Sequence, residues 1–178
     1  MPAPQLFPHY TVEDYQLWQG DWELWEGHPI AMSPSPFGEH QRIVSDLSMW
    51  FGLAIRESDC HAKQLAELDW IVCDNTIVRP DLMVVCGDAP EKHQMEPPAL
   101  VAEVLSPSTR ANDLNFKRSL YEAEGVPHYL IIDPVAASVS HLRLNGGVYQ
   151  ELESQGSVSI HICRDCDLSV DLTRLFAK

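Results

Sequence analysis

Two apolar segments near the middle of the chain restrict the fold more than any other feature. Residues 81–86 and 99–105 are almost continuously apolar, and an acidic, proline-rich stretch separates them. Runs of this kind are typical of strands that are buried on both faces of a sheet. Apolar residues recur at helical spacing over residues 39–56, before these segments, and the sequence after them favours a helix over residues 110–124. The pattern therefore predicts an α/β fold in which a mixed sheet is flanked by helices.

The sequence also predicts β-hairpin additions to this sheet at both ends of the chain. Residues 22–32 predict two short strands around a Gly-His pair, and residues 139–152 predict two more around an Asn-Gly-Gly turn. We expect a single domain over residues 1–178, because no repeat, linker or low-complexity tract interrupts the chain. No apolar run approaches the roughly 20 residues that cross a bilayer, and the N-terminus does not resemble a signal peptide. We therefore expect a cytoplasmic protein with no membrane partner.

Five cysteines raise the question of disulfides and metal; they are Cys60, Cys73, Cys86, Cys163 and Cys166. An odd number without an export signal predicts reduced thiols. Cys163 and Cys166 have the spacing of half a zinc site, but the sequence contains no second pair of that spacing to complete it. We therefore expect two free thiols there rather than zinc, and we expect replacement of both by serine to leave stability nearly unchanged.

A carboxylate inside the second apolar segment breaks the pattern of a buried core. Glu103 lies within Leu-Val-Ala-Glu-Val-Leu, and a buried carboxylate must be paired, protonated or bound to metal. Asp81 begins the preceding apolar segment, so the two carboxylates share a cleft if their strands are neighbours. Two carboxylates suit Mg²⁺, which completes its coordination with waters and substrate phosphate. As ordinary alternatives, Asp81 could cap a turn after Pro80, and Glu103 could form an ion pair with Arg79 or Lys117.

Three further polar residues are candidates for the same site. The helix that follows Glu103 carries an apolar stripe, and Lys117 falls near the middle of it, where it can either meet the carboxylates or extend past the core to solvent. The stripe consists of Leu114, Phe116, Leu120 and Tyr121. Glu23 could be a third carboxylate or a solvent-facing strand residue. His40 could be a base or a surface residue at the start of a helix.

Ordered motifs along most of the chain resemble those of one protein family. They are YTVEDY (10–15), WELWEG (22–27), MSPSP (32–36), HQRIV (40–44), VRPDL (78–82), VAEVLSPST (101–109), KRSLY (117–121), GVPHY (125–129) and DP (133–134). Together they resemble the Uma-two family of restriction-endonuclease-like proteins, also described as a domain of unknown function. The resemblance implies the restriction-endonuclease-like PD-(D/E)xK fold.

The resemblance also assigns positions within that motif. Asp81 matches the aspartate that follows proline, and Glu103 matches the second acidic position. Leu105 stands where the general nuclease pattern has lysine; the family supplies this lysine from the following helix, and Lys117 matches it. Glu23 also matches a family position. The pair of cysteines near the C-terminus matches no family feature.

The resemblance favours metal-dependent hydrolysis of phosphodiester bonds, with DNA as the substrate by family analogy. Asp81, Glu103 and the backbone carbonyl of Val104 would hold Mg²⁺ or Mn²⁺. Lys117 would act on the attacking water or on the charge of the phosphate, and Glu23 would complete the catalytic set. The alternatives are a catalytically silent binding or assembly module with the same fold, and a hydrolase of another phosphate ester.

Charge and exposed strand edges bear on possible partners. The net charge of −14 argues against tight non-specific binding of nucleic acid, which depends on neutralising phosphates. A local basic mouth is still possible, and its candidates are Arg42, Arg79, Arg110, Lys117 and Arg118. The two predicted hairpins offer exposed edges, and from these we predict a homodimer.

Overall fold

A computed structural model of the chain describes residues 8–32, 38–152 and 156–176. Its α-helices are α1 (Val12–Tyr15), α2 (Gly38–Glu57), α3 (Arg110–Asn112) and α4 (Arg118–Ala123). A π-helical turn, Asp113–Lys117, joins α3 to α4, and a 3-10 helix, Leu172–Phe176, follows the last strand. The strands are β1 (Trp22–Trp25), β2 (His28–Ala31), β3 (Ala62–Ala66), β4 (Trp70–Cys73), β5 (Thr76–Val78), β6 (Leu82–Cys86), β7 (Leu100–Val104), β8 (His128–Asp133), β9 (Ser138–Asn145), β10 (Val148–Leu152), β11 (Ser157–Ile162) and β12 (Cys166–Asp171). Within these ranges, no helix is both long and apolar enough to span a membrane.

Six strands form the central sheet in the order β10-β9-β8-β7-β6-β3. β7 and β8 run parallel, whereas the other neighbouring pairs run antiparallel, so the predicted mixed sheet is confirmed. The two apolar segments of the sequence form β6 and β7, which are neighbours with Leu82 opposite Ala102. Every residue of β7 is buried, as its apolar sequence predicts.

The predicted hairpins exist, but they are placed differently from one another. β1 and β2 belong to a second sheet, whose order is β2-β1-β5-β4. β9 and β10 instead extend the central sheet, because β9 pairs with β8 along the whole of that strand. A third unit, the hairpin of β11 and β12, packs near α2, and the sequence predicted only a short strand near residues 159–162 within it. The second strand was missed, although Cys166–Asp171 alternates apolar and polar residues as a half-buried strand does.

Two apolar cores cover the opposite faces of the central sheet. Leu82 and Val84 belong to the first core, which also includes residues of α2, β11 and β12. Met83 and Val85, the alternate residues of the same strand, belong to the second core, which contains Tyr121 of α4. Because successive side chains of a strand point to opposite faces, this alternation explains why β6 is apolar at nearly every position.

The helix predicted over residues 110–124 contains an irregular turn. One π-helical turn separates α3 from α4. Such turns are rare in proteins, and those that occur often lie at functional sites. Asp113, Lys117 and Tyr121 are buried along the inner side of this helix. The predicted placement of Lys117 within the inward-facing stripe is therefore confirmed.

The expectation of reduced thiols, including the pair near the C-terminus, is wrong for four of the five cysteines. Cys60 forms a disulfide with Cys166, and Cys86 forms one with Cys163, while Cys73 is free and exposed. The partners lie 106 and 77 residues apart in sequence. Sequence spacing could not reveal pairs this distant, because only the folding of the β11–β12 hairpin against α2 and β6 brings them together.

These disulfides contradict the expectation that replacing Cys163 and Cys166 by serine leaves the stability of the protein unchanged. We expect Cys60→Ser to lower the free energy of unfolding of the oxidised protein by about 2–4 kcal/mol, because a cross-link that closes a long loop restricts the unfolded chain. Urea unfolding without reductant measures the loss, and Cys73→Ser is the matched control. A loss equal to that of the control would mean that Cys60 is not cross-linked in solution.

Candidate active site

The two carboxylates singled out in the sequence meet where β6 begins and β7 ends. Asp81 directly precedes β6, and its backbone amide lies 3.4 Å from Oε2 of Glu103. Its side chain accepts a hydrogen bond of 2.7 Å from the backbone amide of Val104. Antiparallel pairing of β6 with β7 produces this meeting, since it sets the first residues of one strand against the last of the other. The two predicted carboxylates therefore lie side by side.

Lys117 reaches this pair from the π-helical turn. Its ammonium lies 3.1 Å from Oε1 of Glu103 and 3.0 Å from Oε1 of Glu23, and only 7% of its side chain is exposed. A longer contact of 3.9 Å joins it to Asp113. Lys117 thus does not extend to solvent, and it binds carboxylates of three different elements.

Glu23 is buried and belongs to the same cluster. Its Oε1 also accepts a hydrogen bond of 2.6 Å from the backbone amide of Arg79, and its Oε2 accepts one of 3.0 Å from the indole of Trp25. The alternative that Glu23 faces solvent from β1 is wrong. The hairpin of β1 and β2 is thereby attached to the segment that carries Asp81.

Asp113 and Tyr121 complete the cluster and were not identified from sequence. The hydroxyl of Tyr121 donates a hydrogen bond of 2.7 Å to Oε1 of Glu103, and Asp113 is 2% exposed. Each lies four residues from Lys117, which is the spacing of neighbours on one side of a helix. The sequence signal that could have identified Asp113 is its position four residues before Lys117, which lies in the inward-facing stripe of the helix.

His40 lines the same cavity as these carboxylates and Lys117, and is not a surface residue. It is in the first turn of α2, and its Nε2 is 3.3 Å from Oδ2 of Asp81. Its Nδ1 is buried and has no hydrogen-bond partner among the residues that the structure describes. Burial lowers the pKa of His40, but the hydrogen bond and charge of Asp81 outweigh it, so the pKa is raised overall. His40 is therefore held beside Asp81 through its Nε2.

The cluster holds more negative than positive charge. Four carboxylates line one cavity with a single lysine; they are Glu23, Asp81, Glu103 and Asp113. Burial raises the pKa of Glu103 well above its usual range, and Asp113 and Asp81 raise it further although Lys117 lowers it. Burial lowers the pKa of Lys117, but the carboxylates outweigh it and raise this pKa well above its usual range. Lys117 is therefore charged at neutral pH, and the excess of negative charge favours the entry of a cation or of protons.

We expect this excess charge to appear in the pH dependence of stability. Burial raises the pKa of Asp113 to about 6, so this group favours the folded state at low pH, and that contribution is lost as the pH rises through 6. Asp113→Asn should therefore stabilise the protein relative to wild type at pH 8 by about 1–3 kcal/mol, and less at pH 4.5. Urea unfolding at both pH values measures the difference. An equal effect at the two pH values would rule out a raised pKa.

The cavity and its donor atoms are compatible with Mg²⁺ or Mn²⁺. The cavity has a volume of about 100 Å³. Across residues 8–32, 38–152 and 156–176, no three His, Cys, Asp or Glu side chains form a ready-made ligand group. Mg²⁺ does not require one, since one or two carboxylates with waters and substrate oxygens suffice. The adjacent carboxylates of Asp81 and Glu103 fit that requirement.

Most of the candidate residues for a basic mouth are paired with neighbouring acids. Arg79 contacts Asp69 at 2.7 Å and Asp21 at 2.9 Å. Arg42 and Arg110 are likewise paired, each at 2.7 Å from an aspartate. Arg118 is exposed on α4. Among these candidates in the described part of the chain, little unpaired positive charge therefore remains around the cavity.

Both the structure and the sequence of the chain are similar to those of known proteins. The structure is similar to the crystal structure of "a putative nuclease belonging to DUF820" from Anabaena variabilis, with a TM-score of 0.73 and 18% sequence identity. The likeness covers 94% of this chain and 99% of that one, and at this identity it establishes the fold. The Uma2 family model, described as "Putative restriction endonuclease", matches residues 12–173, so the chain belongs to the Uma2 family. No curated protein matched the chain.

Proposed function

We propose that the chain is a metal-dependent nuclease that hydrolyses phosphodiester bonds at the cavity of Asp81, Glu103 and Lys117. The observation that carries the proposal is a cavity lined by four carboxylates, three of which contact its one buried lysine. Such an arrangement is costly unless a further cation or protons balance it. Membership of the Uma2 family, with its description as an endonuclease family, supports the same class of reaction.

Each residue has a distinct part in this proposal. Asp81 and Glu103, with the backbone carbonyl of Val104, would hold Mg²⁺ or Mn²⁺, and the chemistry such an ion would supply is polarisation of the phosphate and activation of water. The neighbouring carboxylates raise the pKa of Lys117, and in this proposal its ammonium stabilises negative charge on the phosphate. Glu23 fixes Lys117 in place through their contact of 3.0 Å.

DNA is the substrate that family membership favours. The acidic surface and the paired arginines limit the extent of phosphate contact. We therefore propose recognition that depends on contacts within the cavity and on the metal, not on a broad basic surface. A panel of double-stranded DNA, single-stranded DNA, RNA and small phosphate esters distinguishes a DNA nuclease from the other phosphodiesterase classes.

A second candidate is a catalytically silent binding or assembly module. The observation in its favour is that Glu103 already accepts hydrogen bonds from Lys117 and Tyr121. A site satisfied in this way could be purely structural. The two candidates differ in their response to metal, since only the nuclease requires a bound divalent ion.

We expect Mn²⁺ to raise the melting temperature of the wild-type protein. A ligand at a hundredfold excess over its Kd stabilises the folded state by about 2.7 kcal/mol. Asp81→Asn should remove this response because it removes a ligand charge, whereas Asp88→Asn, at a carboxylate that is 89% exposed, should keep it. Thermal unfolding with Mn²⁺ and with EDTA measures both. No response in wild type would favour the silent module.

The homodimer predicted from the two hairpins remains a proposal. β2 and β10 are edge strands of their sheets, and β10 exposes Val148 and Leu152. Exposed apolar edges of this kind are available for pairing with a second copy.

A further inference from the structure

Four cysteines from three parts of the chain lie at one end of the central sheet. Cys163 and Cys166 flank the turn of the β11–β12 hairpin, Cys60 follows α2, and Cys86 ends β6. The Cα atoms of Cys60 and Cys166 are 5.5 Å apart, and so are those of Cys86 and Cys163. The group is separate from the candidate active site, since Asp81 and Cys86 lie at opposite ends of β6.

The two disulfides are themselves neighbours. Cys86 lies opposite Ala62 in the pairing of β6 with β3. Ala62 donates a backbone hydrogen bond of 3.0 Å to the carbonyl of Cys60, so a tight turn holds Cys60 close to Cys86. On the hairpin, Cys166 lies opposite Ile162, the residue before Cys163. Backbone pairing thus holds Cys60 near Cys86 in the central sheet and Cys163 near Cys166 in the hairpin, and the four cysteines form one group.

In the oxidised protein the four sulfurs are bonded in pairs, so among the described residues they form no ready-made metal site. Once the disulfides are reduced, the fold supplies the second pair of thiols that the sequence lacks for a zinc site. A closed structural site uses four ligands, commonly two from a turn with C-x₂-C spacing and two from another element. Cys163 and Cys166 provide the first pair, and the adjacent ends of α2 and β6 provide Cys60 and Cys86 as the second. Spacing along the chain hid this second pair because its members are 26 positions apart.

The turn between the hairpin cysteines has an unusual backbone. Cys163 and Arg164 have φ values of 55° and 69°, in the left-handed region that non-glycine residues rarely adopt. The amide of Asp165 donates a hydrogen bond of 2.9 Å to the carbonyl of Cys163. Two successive positive φ values are typical of the tight turns that close β-hairpins, and this turn holds Cys163 close to Cys166.

We infer that these four cysteines form a tetrathiolate Zn²⁺ site in the reduced protein, and that the two disulfides are its oxidised form. Reduction of both disulfides takes four electrons and four protons from two molecules of a dithiol, which become disulfides in turn. Zn²⁺ then displaces the protons from the four thiols and cross-links the same elements. The inference does not depend on the proposed nuclease activity.

A count of accessible thiols tests the inference on the full chain. The protein is reduced with a phosphine without oxygen, freed of reductant, and alkylated with or without one equivalent of Zn²⁺. We expect five alkylated cysteines without Zn²⁺ and one, Cys73, with it. Five in both samples would overturn the inference, and so would one in both samples, because the disulfides would then resist reduction.

Co²⁺ binding gives a second readout that identifies the ligands. We expect one equivalent of Co²⁺ to give the absorption bands of tetrahedral thiolate coordination, and Zn²⁺ to abolish them. Cys86→Ser and Cys163→Ser should weaken or lose the bands, whereas Cys73→Ser and Asp81→Asn should keep them. Far-UV circular dichroism checks that each variant is folded. Full bands in folded Cys86→Ser or Cys163→Ser, or no bands in wild type, would contradict a site at these four residues.

Discussion

Lys117→Ala should lower the free energy of unfolding by about 3–5 kcal/mol, which is the largest stability loss that we expect from one substitution. The ammonium lies within 3.1 Å of Glu23 and Glu103, and its removal leaves two buried carboxylates without their cation. Urea unfolding at neutral pH measures the loss. The same substitution should also lower the rate of phosphodiester cleavage, because the charge it removes would act on the phosphate in the transition state.

The pH dependence separates this loss from a simple packing defect. Without Lys117, the neighbouring carboxyls should take up protons, so the destabilisation should shrink as the pH falls. Arg118→Ala is the matched control, since Arg118 is exposed on the same helix. A loss of less than 1 kcal/mol for Lys117→Ala at neutral pH would mean that the three contacts contribute little.

Glu103→Gln should keep or raise the stability of the metal-free protein while abolishing its stabilisation by Mn²⁺. Burial and neighbouring carboxylates raise the pKa of Glu103, so its neutral form favours folding and this contribution is lost as the pH rises through that pKa. Glutamine keeps the neutral form at every pH. It removes a proposed metal ligand, however, so we expect cleavage to fall by a factor on the order of 10³, equivalent to about 4 kcal/mol of transition-state stabilisation.

Glu124→Gln is the control for this substitution, because Glu124 is exposed at the end of α4. Thermal unfolding of both variants with Mn²⁺ and with EDTA gives the comparison. If Glu103 were only the structural partner of Lys117, Glu103→Gln would lower the stability of the metal-free protein, since it would weaken a buried ion pair.

The central strands could be predicted from sequence because their residues are almost all apolar. The main residues of the candidate site could be predicted because they are charged residues within apolar patterns. The apolar segments indicated β6 and β7, and Glu103 stood out as a buried carboxylate among apolar neighbours. Lys117 stood out in the same way on a helical wheel. In each case the signal lay within one element, and the buried surroundings confirm it.

The missed features depend on contacts between distant elements. Tyr121 looked like an ordinary core residue until Glu103 was placed beside its hydroxyl. His40 enters the cavity only because α2 packs against the strand that Asp81 precedes. The disulfide partners are far apart in sequence, and the π-helical turn that directs Lys117 has no recognised sequence signature.

Cleavage of supercoiled plasmid DNA with Mn²⁺ tests the proposed nuclease most directly. Wild-type protein should convert the plasmid to nicked and linear forms with Mn²⁺ and not with EDTA. Glu103→Gln, purified in the same way, should be inactive, while Glu124→Gln should match wild type. Equal cleavage by wild type and Glu103→Gln, or none by wild type on DNA with Mn²⁺ or Mg²⁺, would contradict a metal-dependent DNA nuclease at this site.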